Sequence, residues 1–176
     1  ENPARWKNIL SEMLPKPARV AKPGNQPALA LADVPRWWVD LGKRDGMAAR
    51  ALQFLALTAA RSGEVRGMTW DEIDCGEVAT PATSARKAVW TIPASRMKNG
   101  RPHRVPLAPD VVALLKSLPS LEGTPFVFFA PRGGKLSDMS ISAVMRRMQA
   151  AREKTGDPGY LDAASKRPAV PHGLRS

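Results

Sequence analysis

Four side chains far apart in this sequence, Arg61, Lys98, His172 and Arg175, are of types that could act together on one anion. An arginine guanidinium keeps its proton and presents a planar fork of donors, so two of them can grip the oxygens of a phosphate. A lysine ammonium can hand a proton to a departing oxygen, and a histidine can relay one. Each residue also has an ordinary reading. Glu64 lies three residues beyond Arg61, so a structural ion pair and a phosphate are both open as the arginine's partner. His172 and Arg175 are three apart. A helix opened by Pro171 and Gly173 would turn both to one side near its positive end, a natural place for a phosphate, although that short pattern alone is weak.

These residues need elements to position them. From Met47 to Ala60 the chain is apolar on nearly every side (Leu52, Phe54, Leu55, Ala56, Leu57, Ala59), which predicts a helix buried in the middle of a domain. Arg61, Ser62 and Gly63 form the elbow at its end. Ser62 is the expected cap of a second short helix carrying Val65 and Met68, and Thr69 to Glu72 repeats the capping-box spacing. Lys98 belongs to a hairpin. Val89 to Ile92 and His103 to Leu107 have strand composition, and Asn99 with Gly100 is a strong turn signal between them. Arg96, Lys98, Arg101, His103 and Arg104 crowd the same stretch. It reads either as a projecting positive finger for a polyanion or as an edge hairpin kept soluble by charge.

The remaining chain supplies scaffold. Asp33 and Pro35 start a helix within Ala28 to Lys43, with Trp38 and Leu41 spaced to face a core. Pro109 to Leu118 reads as a short helix with Val112 and Leu115 inward, and Phe126 to Phe129 as a short apolar strand or extended segment. Ser137 or Asp138 starts a helix on which Ile141, Val144, Met145 and Met148 recur at helical spacing. Cys75 to Lys87 and Gly156 to Pro171 read as irregular. At the front, Asn2 and Pro3 open a helix with a stripe of Trp6, Ile9, Leu10, Met13 and Leu14, and the proline-bearing stretch from Pro15 to Pro27 reads as an exposed connector. The expected division is therefore 1–26, helix and linker, and 27–176, one larger domain.

With 27 Lys and Arg against 16 Asp and Glu, the net charge of +11 suits a polyanionic partner, most simply nucleic acid. No apolar run approaches membrane-spanning length, and the charged, proline-bearing opening does not read as a signal peptide. The lone Cys75 excludes an internal disulfide, and one Cys with two distant His gives no metal cluster. A reducing cytoplasm is expected, with neither metal nor cofactor.

In combination the segments resemble a tyrosine recombinase, in particular the integrases of temperate phages and genomic islands. The similarity runs from NPARW through LTAARSGEVRGMTWDEID, WTIPASRMKNGRPHRVPL and KLSDMSISAVMRRM to HGLRS, most of the 176 residues. ARSGE, RMK with HRVPL, and HGLR are specific to the family when they occur together. The resemblance implies a mainly α catalytic domain with a small antiparallel three-stranded sheet (α+β, the DNA breaking-rejoining fold). It implies site-specific recombination by transesterification through a 3′-phosphotyrosine. Arg61 and Arg175 match the arginine pair that grips the scissile phosphate, and Glu64 matches the acidic residue that supports the site. Lys98 matches the hairpin lysine that donates a proton to the departing 5′ hydroxyl, and His172 matches the histidine of the HxxR box. Arg96, Arg101 and Arg104 are expected to contact DNA. The implied partner is duplex DNA at attachment sites, with four protomers on two duplexes when full length, in the bacterial cytoplasm at the nucleoid. No membrane and no small-molecule substrate is implied.

The sequence also departs from the family pattern. After HxxR the family has a further His or Trp and then the tyrosine nucleophile, and Ser176 comes before either. Tyr160, the only tyrosine, precedes the box in a loop with Gly and Pro and reads as a packing residue. The expectation is a stretch that holds the phosphate-activating groups without the attacking one, with an amino-terminal DNA-gripping domain lying before it. Type IB topoisomerases use a similar Arg, Lys, His, Arg set; the wording around each residue favours an integrase. From a different class, a non-catalytic DNA-binding or regulatory protein that kept the fold fits the same residues.

Overall fold

The computed structural model describes residues 25–76, 87–97 and 99–175. The expected amino-terminal helix, most of the 1–26 unit and Lys98 lie outside the described residues.

The helix expected to be central is central. Helix α2, Met47–Thr58, buries Ala49, Ala51, Leu52, Gln53, Phe54 and Leu55. It packs against α1 (Val34–Gly42), α3 (Ser62–Arg66), α4 (Pro109–Lys116), α5 (Ser140–Glu153) and a carboxy-terminal 3-10 turn, Pro171–Arg175. An element packed against so many others keeps only a small open side, that of Arg50 and Leu57, and its apolar residues show correspondingly little periodicity. Phe54 meets the Trp90 ring edge-on, with centroids 5.4 Å apart, and packs on Phe128 at 5.5 Å. Those contacts fasten the sheet to the helices.

The sheet is antiparallel, in the order β1 (Ile73–Asp74), β2 (Val89–Ile92), β3 (His103–Pro106). Trp90 pairs with Ile73 on one side and Val105 on the other, and Ile92 pairs with His103. Along β2, Trp90 and Ile92 are buried while Thr91 is exposed, the alternation of a sheet with one face on the core. The architecture is mainly α with a small three-stranded sheet, as the sequence resemblance implied. No described helix is long and apolar enough to cross a membrane.

Several local expectations are corrected. On α1 it is Trp37 and Leu41, four apart, that are buried, while Trp38 is 36% exposed; adjacent tryptophans allow either stripe, and the i, i+4 pair faces α2. On α4, Val111 and Leu115 are fully inside and Val112 is only half-buried. Of the two readings of Phe126 to Phe129, strand or extended segment, the strand drops out: it makes only isolated bridges of Phe126 with Thr69 and of Phe129 with Lys135, and Val127 and Phe128 are fully buried. Helix α5 begins at Ser140, with the Ser137 and Ser140 hydroxyls 2.8 Å apart before it; the expected stripe of Ile141, Val144, Met145 and Met148 is buried.

Candidate active site

The elbow after α2 depends on a left-handed residue, Ala59 at φ 50°, which turns the chain so that Ala60 points inward and Arg61 emerges. Arg61, not Ser62, occupies the cap position of α3. The reason is Glu64 in the third helical position: its carboxylate reaches back to accept the Arg61 backbone N–H at 2.9 Å and the Arg61 Nη1 at 2.7 Å. The Glu64 side chain is 10% exposed, that of Arg61 56%. Arg61 therefore forms the ion pair and still leaves most of its fork open. Burial pushes the Glu64 carboxyl up, but the two hydrogen bonds from Arg61 and the charges of Arg61 and Arg175 outweigh it and hold the group below its ordinary value. It is ionised at neutral pH.

The hairpin forms the opposite wall. β2 runs into a 3-10 turn, Ala94–Arg96, and the chain reverses at Asn99 and Gly100, where Gly100 has φ 65° and donates its N–H to the Met97 carbonyl at 3.0 Å. Arg101, His103 and Arg104 are exposed. Arg96 behaves otherwise: its Nη1 donates to the carboxylate of Glu72 and its Nη2 to the backbone carbonyl of Glu64. The exposed charge of the hairpin thus comes from the later cations, and Arg96 belongs to its base.

The third piece is the closing turn. Pro171–Arg175 is a five-residue 3-10 turn rather than an α-helix with a positive end. With three residues per turn, His172 and Arg175 are eclipsed on one side, and both are exposed. The turn is pinned from behind by residues 27 and 28. Val170 donates its N–H to the Pro27 carbonyl at 3.1 Å, and Ala28 donates to Asp162 Oδ1 at 3.1 Å. A Cβ on Gly173 would come within 2.0 Å of the Pro27 oxygen, so only glycine lets the two backbones meet this closely.

The three pieces converge on an open cleft of about 440 Å³, lined among others by Arg61, Glu64, Met97, His103, Arg104 and Arg175. Three guanidiniums and one carboxylate in that lining leave a local charge of +2 before His103 is counted. The Arg175 side chain makes no hydrogen bond or ion pair with another described residue, although its charge is felt by Glu64. His172 shares its turn but is not part of the lining. His103, at the start of β3, is exposed and also faces the cleft.

Residues 40–176 match the model of the phage integrase family. The chain belongs to that family. Among similar proteins, the Escherichia coli K12 prophage integrase IntA is 33% identical over 120 residues, covering 68% of this chain and 24% of the relative. Prophage integrase IntZ of the same organism is 28% identical over 135 residues, covering 74% of this chain and 30% of the relative. The chain thus spans less than a third of the length of either. Among solved structures, a lambda integrase tetramer bound to a Holliday junction aligns at a TM-score of 0.58 and 18% identity, over 87% of this chain and 41% of that one. The Tn1549 transposon integrase in complex with circular intermediate DNA gives 0.57 and 14%, over 90% and 55%. Identities this low establish the shared fold, that of the tyrosine recombinases.

Within this integrase domain, the remaining tyrosine has a structural place. Tyr160 is buried, its hydroxyl donates to Asp40 Oδ2 at 2.5 Å, and its ring lies against two guanidiniums, with Arg36 Cζ at 5.1 Å and Arg152 Cζ at 5.8 Å from the centroid. Burial and the neighbouring Asp40 both push its pKa up. Two supporting residues escaped the sequence reading. Ala59 carries no glycine signal for its left-handed turn, and Glu72, read only as a capping residue, sits 24 positions from the arginine it holds.

Proposed function

We propose that this domain grips and activates one phosphodiester of duplex DNA for site-specific recombination, as part of a longer integrase. One observation carries the reading: Arg61 with Glu64, the hairpin pair His103 and Arg104, and Arg175 come from three remote segments and meet at one basic cleft. That fold relatives are bound to a Holliday junction or to transposon DNA supports a duplex as the partner and four protomers as the working assembly.

A hydroxyl attacking phosphorus builds negative charge on the non-bridging oxygens, and two fixed guanidiniums neutralise it without reorganising. We assign that task to Arg61 and Arg175. Glu64 holds Arg61 through its backbone N–H and Nη1, so the remaining donors stay aimed outward. As the bond from the tyrosine oxygen to phosphorus forms, the bond to the 5′ oxygen breaks, and Lys98 is assigned the proton that the leaving oxygen takes up. His172 is assigned the nucleophile's proton on the strength of its place in the HxxR turn. Arg101 and Arg104 are assigned to the flanking backbone, Arg104 from the cleft wall itself. Tyr160 is too deeply engaged to attack, so the nucleophile is assigned to a tyrosine outside these 176 residues.

The test is formation of denaturant-resistant protein–DNA adducts on nicked duplexes. None is expected from this chain, whereas the longer natural protein should give them. Adducts formed by this chain and abolished by Tyr160→Phe would overturn the assignment. A longer protein that binds duplex DNA yet never forms an adduct would support a non-catalytic DNA-binding role instead.

A further inference from the structure

Arg96 lies in the hairpin sequence but turns away from the cleft, and its guanidinium spans two other elements. One end is held by Glu72, whose side chain is 7% exposed and also accepts the Trp90 Nε1–H at 2.9 Å, so this carboxylate is fixed in the core under β2. The other end donates to the main-chain carbonyl of Glu64 in α3. Glu64 in turn holds Arg61 through both carboxylate oxygens. A single planar group therefore joins the root of one cleft wall to the backbone of the residue that orients the other.

Space has been left for it. At Gly67 an added Cβ would stand 3.1 Å from Arg96 Nη2 and 3.3 Å from Cζ. The backbone there has φ −100°, which any residue can adopt, so the glycine serves room for the guanidinium rather than a turn. A lysine could not replace the arginine, because one ammonium on a flexible stem cannot span a carboxylate and a carbonyl on opposite sides of a rigid fork.

We propose that Arg96 is a positioning residue: the bridge from Glu72 through Arg96 to the Glu64 carbonyl sets the hairpin against the Arg61 elbow, so that both walls engage the same stretch of DNA backbone. The proposal rests on the DNA reading given above. It separates Arg96 from Arg101 and Arg104, whose charges face solvent.

The experiment compares Arg96→Lys, Gly67→Ala and Arg61→Ala in the 176-residue chain, singly and combined, by fluorescence anisotropy on a labelled mixed-sequence duplex, with thermal unfolding run on each. Arg96→Lys keeps the charge, so a direct phosphate contact would survive it. A positioning residue predicts about a tenfold loss of affinity, and no further loss when the change is added to Arg61→Ala. Gly67→Ala, which leaves every charged group in place, should give a smaller loss with the same non-additivity. Wild-type affinity in Arg96→Lys, or a loss that adds fully to that of Arg61→Ala, overturns the proposal. A second readout is independent of DNA: the backbone amide resonance of Arg61, bonded to Glu64, should shift in Arg96→Lys, and an unmoved resonance refutes the bridge. If Arg61→Ala itself leaves binding intact, the DNA reading has failed, and the amide resonance still decides the bridge.

Discussion

Replacing Gly173 by alanine should be costly out of proportion to the one methyl it adds. The new Cβ would lie 2.0 Å from the Pro27 oxygen, 2.6 Å from its carbon and 2.8 Å from the Ala28 Cα, all of them backbone atoms that no rotamer change can move. Real contacts of this kind begin near 3.0 Å, so either residues 27 and 28, the strap behind the turn, or the turn itself must retreat by about 1 Å. Overpacking of this sort costs about 1–3 kcal/mol. The retreat also stretches the 3.1 Å hydrogen bond from Val170 to Pro27, worth about 0.5–1.5 kcal/mol. The total is about 1.5–4.5 kcal/mol, which for a domain of this size lowers Tm by about 3–18 °C. Urea unfolding measures it, with Gly134→Ala, where nothing lies within 4 Å of an added Cβ, as the control. Duplex binding adds a second reading, since a shift of the turn carries Arg175 with it, whereas a shift of the strap alone does not. Gly173→Ala within about 0.5 kcal/mol of wild type would refute the close approach on which the placement of Arg175 depends.

Ala59→Gly should stabilise the chain by about 0.5–1 kcal/mol, because relief of a left-handed alanine exceeds the added flexibility of glycine; destabilisation in urea would count against the turn described at the elbow. Tyr160→Phe should cost about 1–2 kcal/mol through the lost bond to Asp40 and leave duplex affinity unchanged; a loss of affinity without a loss of stability would contradict the packing role. In acid, Asp162 is held down to about 2 from 3.8 by the hydroxyl and backbone N–H of Ser165 and by the N–H of Ala28. Asp40, Glu64 and Asp157 are also lowered. Groups depressed in the folded state contribute stability that is present above their unfolded values and lost as pH falls through the folded ones. Urea midpoints should therefore fall from about pH 4 toward pH 2, and Asp162→Asn should flatten that fall; an unchanged acid profile in the variant would show that Ser165 and Ala28 do not hold the carboxylate down.

Arg61 and Arg175, which line the cleft, could be picked out beforehand because the wording around each is distinctive and because guanidiniums are what a phosphate would call for. The large elements were legible for a simpler reason: α2 and α5 are long enough for burial to stamp its pattern on the residues. What stayed hidden was whatever depends on a contact between remote segments. Trp37 and Trp38 are equivalent until α2 chooses between them. Ser62 looks like the better cap until the Glu64 carboxylate is seen reaching back to Arg61. Arg96 is one more cation in a basic hairpin until Glu72 is found beneath it. The final turn had room for an α-helix in sequence, and the strap across Gly173 goes with a tighter turn.

The central claim is that Arg61 and Arg175 share one DNA phosphate. Its most direct test is the salt dependence of duplex affinity for wild type, Arg61→Ala, Arg175→Ala and the double variant. Each phosphate neutralised contributes about 0.9 to the slope of log K against log salt. Two arginines on one phosphate predict that the double variant loses about 0.9 in slope in total, with single effects that are not additive. A loss of about 1.8, reached by two independent steps, would place the arginines on separate phosphates and contradict the account; so would affinities that none of the substitutions changes.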